Sequence, residues 1–496
     1  MPFPAPRLAR FTARLCMAAV LWLNQTGVQA QPPAPSDAAA APKAPALPEP
    51  ISAALARAHI DSDSLSLWIA AVGRDTPRLA HQAERLVHPA SLMKLVTSSV
   101  ALDQLGPTYV WNTGVYLDGP IDHGVLRGSL WLRGRGDPKL VHERLWLLLR
   151  QVRQLGIYDI RGDIVLDRSA FQITAVDPGA FDGERYKPYN VRPDALQLNQ
   201  KAMLLSLRPD PAHGVAQVSI EPPLQGVKVP AAVTLAPGTD CGDWRSGLQA
   251  DFSDPTHIRL AGRYPAGCGS KTWPLAYADP ASYNARLLSA LWGELGGKLR
   301  GRVREAAVPP DWQPVFEFSS PTLAEVVRDM NKYSNNVIAQ QLFLTLGLTP
   351  RGSATWDAAR EAASSRVQER AGCRADELRI DNGSGLSRDE RITSHCLARV
   401  LQWAWASAWM PELVASLPLA GIETTARRAV SASGRAHLKT GSLGNVAALA
   451  GYVDLPGGQR QVVVAIINHP QAASDEARAA LDAVLRWMFE EKDTTP

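Results

Sequence analysis

Ser91 and Lys94 form a Ser-x-x-Lys motif at the start of HPASLMKLVTSSVALDQLG (residues 88–106), where apolar side chains recur at the spacing of an amphipathic helix. Positions i and i+3 share one helix face, so the lysine amine can meet the serine hydroxyl. A serine needs a base to act as a nucleophile, and a lysine whose pKa is lowered by burial or by another cation can supply it. A capping serine beside a solvated lysine is the alternative, because about two such motifs are expected by chance in a chain of this length.

A second polar motif, Ser334-Asn335-Asn336, interrupts the apolar segment NKYSNNVIAQQ. Ser and Asn lower helix propensity because their side chains compete for backbone hydrogen bonds, so the triplet is unexpected within a helix. Either it forms a turn with local hydrogen bonds, or the Ser334 hydroxyl and the Asn336 amide point into a cleft.

Lys439, Thr440, Gly441 and Ser442 form a third motif, which leads into the predicted strand NVAALAGYV. A lysine beside a glycine at a strand start is also found at exposed edges that bend. If the motif is functional, Lys439 supplies positive potential and Gly441 lets the backbone approach a substrate. The hydroxyls of Thr440 and Ser442 would then bind a carboxylate.

The three motifs occur in the order that marks the active-site-serine enzymes that recognise penicillins, although the middle motif of those enzymes reads Ser-Asp-Asn. The chain has no Gly-x-Ser-x-Gly, no His-Glu-x-x-His and no Walker-type glycine loop. No cysteine stands beside a histidine in metal-ligand spacing. The sequence therefore predicts neither a metal site nor a cofactor.

Strands are predicted at both ends of the chain. LSLWIAAVG (residues 65–73) has strand composition, and NVAALAGYVDL and QVVVAIINHP, separated by PGGQR, indicate an antiparallel hairpin. Ser474 is expected to cap a last helix with an acidic first turn. With helical periodicity between these strands, we expect an α/β (α+β) domain in which helices flank an antiparallel sheet completed by the two chain ends.

Composition divides the chain into further segments. Residues 1–30 have the basic, apolar and small-residue regions of a cleavable signal peptide, and residues 31–49 are an Ala/Pro-rich linker that is expected to be disordered. Short strands with frequent Gly, Pro and Asp predict a large β-rich insertion over 116–305, with a sub-domain at about 206–268. The remaining residues, 50–115 and 306–491, would then form one domain.

Charge and cysteine content bear on the class of partner, the cellular compartment and the disulfide bonds of the protein. The formal net charge is only +4 and no long basic run occurs, which argues against a nucleic-acid partner. A cleavable signal peptide predicts export to the periplasm, with no membrane span in the mature chain. Four cysteines would remain after cleavage, and of three connectivities we favour Cys241–Cys268 and Cys373–Cys396.

The motifs and their spacing resemble the D-alanyl-D-alanine carboxypeptidase/endopeptidase family, the low-molecular-mass class C penicillin-binding proteins of the penicillin-binding protein 4 type. HPASLMKLVTSSVALDQLGP, SLPLAGIE and KTGSLGNVAALAGYV resemble family segments, and DNGSGLSR differs from its family counterpart at Asn382. More than 200 residues separate Ser91 from Ser334, as expected for a family with a large insertion there. The resemblance implies a penicillin-binding/transpeptidase-like domain.

The resemblance also implies a role for each motif residue. Ser91 would attack the D-Ala-D-Ala carbonyl with Lys94 as proton acceptor, and Ser334 would relay the proton to the leaving amine. Asn336 would hold the substrate backbone. Binding of the terminal carboxylate would fall to the third motif, namely Lys439, Thr440 and Ser442, with Gly441 beside them.

An aspartate of the insertion and an arginine of the Gly-Leu-Ser-Arg segment recognise the free end of the stem peptide's diamino acid in this family. The matching residues in this sequence are taken as Asp167, with Phe171 nearby, and Arg388. The implied partners are peptidoglycan stem peptides and β-lactam antibiotics. A β-lactamase-like hydrolase and a non-catalytic wall-binding or antibiotic-sensing module are the alternatives, and the sequence leaves peripheral membrane association and a homodimer open.

Overall fold

The computed structural model describes residues 47–348 and 352–490. The predicted signal peptide and nearly all of the predicted linker lie outside these residues. The helices are, in chain order, α1 (Glu49–Arg57), α2 (Met93–Leu105), α3 (His142–Gln154), α4 (Trp244–Gly247), α5 (Pro280–Glu294), α6 (Leu323–Tyr333), α7 (Asn336–Leu346), α8 (Trp356–Ala371), α9 (Ser394–Ala406), α10 (Met410–Ser416) and α11 (Asp475–Glu490). The strands are β1 (Leu65–Ala71), β2 (Leu79–His81), β3 (Asn112–Leu117), β4 (Ile121–Asp122), β5 (Val125–Leu126), β6 (Leu130–Arg133), β7 (Asp159–Ile160), β8 (Ile164–Asp167), β9 (Ala202–Asp210), β10 (Val215–Glu221), β11 (Ala232–Ala236), β12 (Ala250–Asp251), β13 (Arg259–Leu260), β14 (Tyr264–Pro265), β15 (Lys271–Ala276), β16 (Lys298–Leu299), β17 (Val303–Glu305), β18 (Phe316–Ser319), β19 (Leu378–Arg379), β20 (Arg391–Ile392), β21 (Ala436–Leu443), β22 (Val446–Asp454) and β23 (Arg460–Asn468).

Strands from both ends of the chain form one antiparallel sheet in the order β2-β1-β23-β22-β21. β1 pairs with β23 along its whole length, from Leu65 opposite Ile467 to Ala71 opposite Gln461. The predicted hairpin is the β22–β23 pair. The α/β class with a sheet completed by the two chain ends is thereby confirmed.

Helices cover both faces of this sheet because its strands are apolar on both faces. Side chains alternate along a strand, so Leu67 and Ile69 of β1 face α1 and α11, whereas Trp68 and Ala70 face the other side. The core on that other side includes residues of α2, α6, α7, α8 and α9. The two cores enclose the sheet, including its edge strand β21.

The helix α2 is more deeply buried than the sequence predicts. An amphipathic helix keeps one face in solvent, but every residue from Met93 to Leu102 is buried here. The reason is tertiary, since α6, α7, α8 and α9 all pack around α2. This burial takes the polar residue Lys94 into the protein interior.

Residues between the first two motifs form further sheets with their own core. One sheet has the order β17-β8-β6-β3-β18, and another has the order β14-β11-β10-β9-β15. Helices α3 and α5 contribute to the apolar core beneath them. β3 and β18 pair with each other and begin and end this block at Asn112 and Ser319. The block starts 4 residues before the predicted limit of 116 and ends 14 residues after the predicted limit of 305. The division of the chain into domains stays a prediction.

Two disulfide bonds, Cys241–Cys268 and Cys373–Cys396, each join a cysteine to the next cysteine along the chain. The second one ties the segment after α8 to the first turn of α9. Within residues 47–348 and 352–490, none of the helices combines the length and the hydropathy needed to span a bilayer.

Candidate active site

Ser91 lies on a 3-10 turn, Ala90–Leu92, that runs directly into α2. Ala90 has a φ of 47°, a left-handed conformation that is uncommon for a residue with a side chain. The Ala90 N–H donates to His88 Nδ1 (3.0 Å), so His88 Nε2 carries the hydrogen that is donated to the Ser387 carbonyl (2.6 Å). Burial lowers the His88 pKa and keeps the ring neutral. His88 therefore supports the turn that presents Ser91.

Lys94 is fully buried, and its side-chain amine is hydrogen-bonded to three oxygen atoms. Its Nζ lies 3.1 Å from Ser91 Oγ, 2.7 Å from Asn336 Oδ1 and 2.5 Å from the Ser384 carbonyl oxygen. The contacts join the first motif to the second and to the turn that precedes Arg388. A solvated lysine, the alternative left open by the sequence, is excluded by this burial.

The lysines of the first and third motifs both have lowered pKa values. Burial, followed by the charge of Lys439, lowers the pKa of Lys94 well below its ordinary value, while the charge of Glu390 acts to raise it. Burial lowers the pKa of Lys439 to about 7. A buried ammonium is costly when it loses its water shell, and two of them nearby are costlier. The site therefore favours the neutral amine that a proton acceptor must be.

The second motif is the junction between α6 and α7. Ser334 ends α6 in a left-handed conformation (φ 53°), and Asn335 caps α7 by accepting the Ile338 N–H at 3.0 Å. This capping explains why three polar residues interrupt the apolar pattern. The junction turns the Ser334 hydroxyl toward Lys439 Nζ (2.9 Å).

The third motif lies on β21, the edge strand beside Ser91. Lys439 is buried behind Ser334, and its Nζ also donates to the Thr440 carbonyl (2.7 Å). The Thr440 hydroxyl donates to the Thr425 carbonyl (3.4 Å). A Cβ placed on Gly441 would lie 3.3 Å from the Ser91 nitrogen, so a glycine there lets the strand approach the nucleophile closely.

The three motifs meet at one cleft of about 760 Å³. Its wall includes Ser91, Ser334 and Asn336 from the motifs around α2 and α7. Ser442 of β21 and Arg388 also line the cleft. The structure thus brings together the three motifs and the predicted arginine.

Asp167 and Phe171, unlike Arg388, do not line this cleft. The Asp167 carboxylate is buried at the end of β8, where it accepts the N–H groups of Val308 and Ser169, both at 2.9 Å. Phe171 packs in a small apolar core beside Ala354. Both residues border a separate cavity of about 820 Å³. Asp167 is oriented inward because its backbone contacts satisfy it there.

Asp182, Phe181 and Tyr189 were not predicted as site residues from the sequence. All three line the cleft. The Asp182 carboxylate accepts from the Tyr189 hydroxyl (2.9 Å) and the Asn190 amide (2.7 Å). Burial acts to raise its pKa, but hydrogen bonds from Glu184 N–H, Asn190 and Tyr189 lower it overall, so Asp182 is charged.

Arg388 contacts the segment that contains Phe181 and Asp182. Its guanidinium carbon lies 4.5 Å from the centre of the Phe181 ring, and Nη2 donates to the Phe181 carbonyl (2.9 Å). An anionic and a cationic side chain thus border the cleft together. Such a pair can recognise a zwitterionic group.

Outside the cleft, Glu84, Glu377 and His395 place one ligand atom each within 4.8 Å of the others. Glu84 accepts from His395 Nδ1 (2.6 Å), and Glu377 is paired with Arg399 (2.5 Å) and Arg374 (3.4 Å). The two guanidinium groups already neutralise the buried carboxylate. This charge balance does not favour a bound cation.

Known proteins are similar to this chain over most of its length. The sequence matches the D-Ala-D-Ala carboxypeptidase 3 (S13) family over residues 47–488. It is 29% identical over 407 residues to a D-alanyl-D-alanine carboxypeptidase of Actinomadura sp. (strain R39), covering 77% of this chain and 73% of that protein. It is 26% identical over 396 residues to the D-alanyl-D-alanine carboxypeptidase DacB of Haemophilus influenzae, covering 76% and 80%.

The fold is similar to the crystal structure of penicillin binding protein 4 (dacB) from Haemophilus influenzae. The superposition has a TM-score of 0.72 at 22% sequence identity and covers 88% of this chain and 98% of that one. A second structure of that protein, complexed with a β-lactam, gives a TM-score of 0.66. The family match spans most of the chain and includes all three motifs. The chain belongs to the D-Ala-D-Ala carboxypeptidase 3 (S13) family and is a serine-type D-Ala-D-Ala carboxypeptidase with the penicillin-binding fold.

Proposed function

We propose that the protein is an exported D-Ala-D-Ala carboxypeptidase/endopeptidase that cleaves peptidoglycan stem peptides through an acyl-enzyme on Ser91. The observation that carries this proposal is the 3.1 Å contact between Ser91 Oγ and Nζ of the fully buried Lys94. A nucleophile within hydrogen-bond reach of a base with a lowered pKa is the arrangement that covalent catalysis requires.

Acylation begins when the neutral Lys94 amine accepts the proton of the Ser91 hydroxyl. The serine oxygen forms a bond to the carbonyl carbon of the D-Ala-D-Ala peptide, and the carbonyl oxygen becomes an oxyanion. The backbone N–H groups of Ser91 and Ser442 are suited to stabilise that charge, since both residues border the cleft. Asn336, held by Lys94 at 2.7 Å, positions the peptide backbone.

Collapse of the tetrahedral intermediate breaks the carbon–nitrogen bond and releases the terminal D-alanine. Its amine needs a proton, and Ser334 is placed to deliver one because its hydroxyl is hydrogen-bonded to Lys439 Nζ at 2.9 Å. The terminal carboxylate binds near the hydroxyl of Ser442 and in the positive potential of Lys439, with Thr440 on the same strand. Water then attacks the ester and frees Ser91.

Asp182 and Arg388 are proposed to recognise the free end of the diamino acid in the stem peptide. The carboxylate suits an ammonium group, and the guanidinium suits a carboxylate. Tyr189 and Phe181 give the apolar walls between them. This role replaces the one that the resemblance suggested for Asp167 and Phe171.

Export and acylation by β-lactams complete the proposal. The composition of residues 1–30 supports a signal peptide, and two disulfide bonds are typical of proteins in an oxidising compartment. A β-lactam presents a strained amide to the same serine, and a related protein was crystallised in complex with one. The periplasm is therefore the proposed location.

The test is the release of D-alanine from a synthetic stem peptide that ends in D-Ala-D-Ala, together with the cleavage of cross-linked muropeptides. The wild type is expected to release one D-alanine per peptide, and Ser91→Ala is expected to release none. Cleavage of the cross-link would assign the endopeptidase activity. A folded wild type that releases no D-alanine and cuts no cross-link would support the non-catalytic alternative.

A further inference from the structure

Glu390 is a fully buried carboxylate beside the cleft that the proposed reaction does not use. Its Oε1 accepts the N–H groups of Gly383 (2.7 Å), Asn382 (3.1 Å) and Asp381 (3.4 Å). Its Oε2 is buried and has no hydrogen-bond partner among the described residues. Burying a carboxylate costs free energy unless hydrogen bonds or an opposite charge offset its desolvation, and a buried oxygen without a partner calls for an explanation.

The turn that Glu390 holds contacts Lys94, the proposed base. The Ser384 carbonyl accepts a hydrogen bond from Lys94 Nζ at 2.5 Å. The Asn382 side chain accepts both the backbone N–H (3.0 Å) and the hydroxyl (2.7 Å) of Ser384. The Thr97 hydroxyl of α2 donates to the Gly383 carbonyl (2.6 Å), which joins the turn to the helix that bears Lys94.

The turn also lies directly against the nucleophile. A Cβ on Gly385 would come within 2.0 Å of the Ala90 carbonyl oxygen and 2.7 Å of the Ser91 nitrogen. The contacts of Glu390 with three successive N–H groups therefore set the position of a backbone segment packed on both Ser91 and Lys94. A small shift of that segment would misalign the two groups.

Several charged groups surround Glu390. The charge of Glu390 acts to raise the pKa of Lys94 on α2, and the charge of Lys439 on β21 acts to lower it. Asp381 lies in the same turn and is paired with Arg360 of α8 at 2.8 Å. Three more charged residues are close in sequence, and their side chains are exposed or half-buried: Arg388, Asp389 and Arg391. Burial raises the pKa of Glu390 to about 7, against the hydrogen bonds from Gly383 and Asn382.

We propose that Glu390 is a positioning residue for Lys94: it holds the turn whose Ser384 carbonyl contacts the lysine, and its negative charge stabilises the lysine ammonium against Lys439. This inference rests on the proposed function, in which Lys94 is the base for Ser91. The carboxylate acts to raise the pKa of Lys94, and it thereby raises the pH below which Lys94 is protonated and cannot accept the Ser91 proton.

Glu390→Gln tests the charge while keeping the shape and one acceptor oxygen. The rate of acylation by benzylpenicillin, followed by intact-protein mass between about pH 5 and pH 9, should fall at acidic pH as Lys94 becomes protonated. Removing the carboxylate removes a charge that favours the ammonium, so the acidic limb should move to lower pH by about 0.5 to 1 unit. An acidic limb that superimposes on that of the wild type overturns the proposal.

Glu390→Asp keeps the charge but shortens the side chain. It should retain the wild-type acidic limb and react at least about fivefold more slowly on the plateau, because the turn is displaced. If the Gln variant does not fold, the Asp variant decides alone, and wild-type rates at every pH would contradict the positioning role.

Glu377→Gln is the matched control, since Glu377 is an equally buried glutamate paired with Arg399 outside the cleft. Its pH profile should follow the wild type even if its stability falls. A shift in the control as large as in Glu390→Gln would mean that any buried glutamate acts in this way, and would overturn the specific role. Failure of the proposed function has a different signature, because the wild type itself would then not be acylated at any pH.

Discussion

Substitution of Asp182 tests whether the ammonium group of the substrate is bound by Asp182, as the structure suggests, or by Asp167, as the resemblance suggests. Asp182→Asn removes the charge that we propose to bind the ammonium group of the diamino acid, and it keeps the side chain's size. Asp167→Asn is the matched comparison, because Asp167 is the acid that the resemblance suggested and it lies outside the cleft. Only the first substitution should change substrate preference.

The size of the effect follows from the environment of Asp182. A hydrogen bond between charged groups contributes about 1.5–3 kcal/mol, but Asp182 is exposed, and solvent screening reduces this to about 1–2 kcal/mol. Since each 1.36 kcal/mol is a factor of ten, the expected loss is about 5- to 30-fold. The Asp182 contacts with Tyr189 and Asn190 are retained in part by the amide of the variant.

The assay compares kcat/KM for two stem peptides ending in D-Ala-D-Ala, one with a free side-chain ammonium and one with that amine acetylated. The ratio of the two values should fall by about 5- to 30-fold in Asp182→Asn and stay unchanged in Asp167→Asn. An unchanged ratio in Asp182→Asn would refute the reasoning. A fall of the ratio in Asp167→Asn alone would restore the assignment made by resemblance.

Three further outcomes are expected. Because burial lowers the pKa of Lys94 well below its ordinary value, acylation by benzylpenicillin should decline as the pH falls through that lowered pKa; a rate that keeps rising to about pH 10, near the pKa of an ordinary lysine, would contradict this. Gly385→Ala should lower the acylation rate by at least about 100-fold, because its Cβ would lie 2.0 Å from a backbone oxygen beside the nucleophile, whereas Gly444→Ala, in open space on the same cleft, should react normally. Replacing Cys373 and Cys396 by alanine should reduce the free energy of unfolding, measured with urea, by about 3 kcal/mol for a separation of 23 residues, and an unchanged value would show that the bond does not constrain the unfolded chain.

The central sheet was predictable because its signal is local. β-branched and aromatic residues bounded by a glycine mark β1, and the turn-rich PGGQR marks the hairpin of β22 and β23. The burial of α2 was not predictable in the same way. Whether the polar side of a helix meets water depends on what packs there, and four distant helices cover α2.

Part of the candidate site was predictable from local signals in the sequence. Ser91 and Lys94 meet through one helical turn, and the polar triplet at Ser334 stands out within an apolar pattern. Asp182 was missed because it lies in a loop with no periodicity, and only the tertiary path of that loop brings it to the cleft. The tyrosine and phenylalanine around it were the available signal.

The contact between Lys94 and the Ser384 carbonyl was not accessible from the sequence at all. A backbone oxygen has no residue-type signature, so no motif search can find it. Glu390 lies six residues further along the chain, and its burial was not predictable either. A glutamate between an aspartate and an arginine is typical of a solvated segment. Burial, which the sequence did not reveal, is what distinguishes it.

The acyl-enzyme on Ser91 is the central claim, and intact-protein mass spectrometry after incubation with benzylpenicillin tests it most directly. The wild type should gain the mass of one penicillin per chain, and Ser91→Ala, whose fold is expected to be unchanged, should gain none. Hydrolysed penicillin without a lasting adduct would indicate a β-lactamase-like enzyme. An unmodified wild type with intact penicillin, or an equal adduct on Ser91→Ala, would contradict the account.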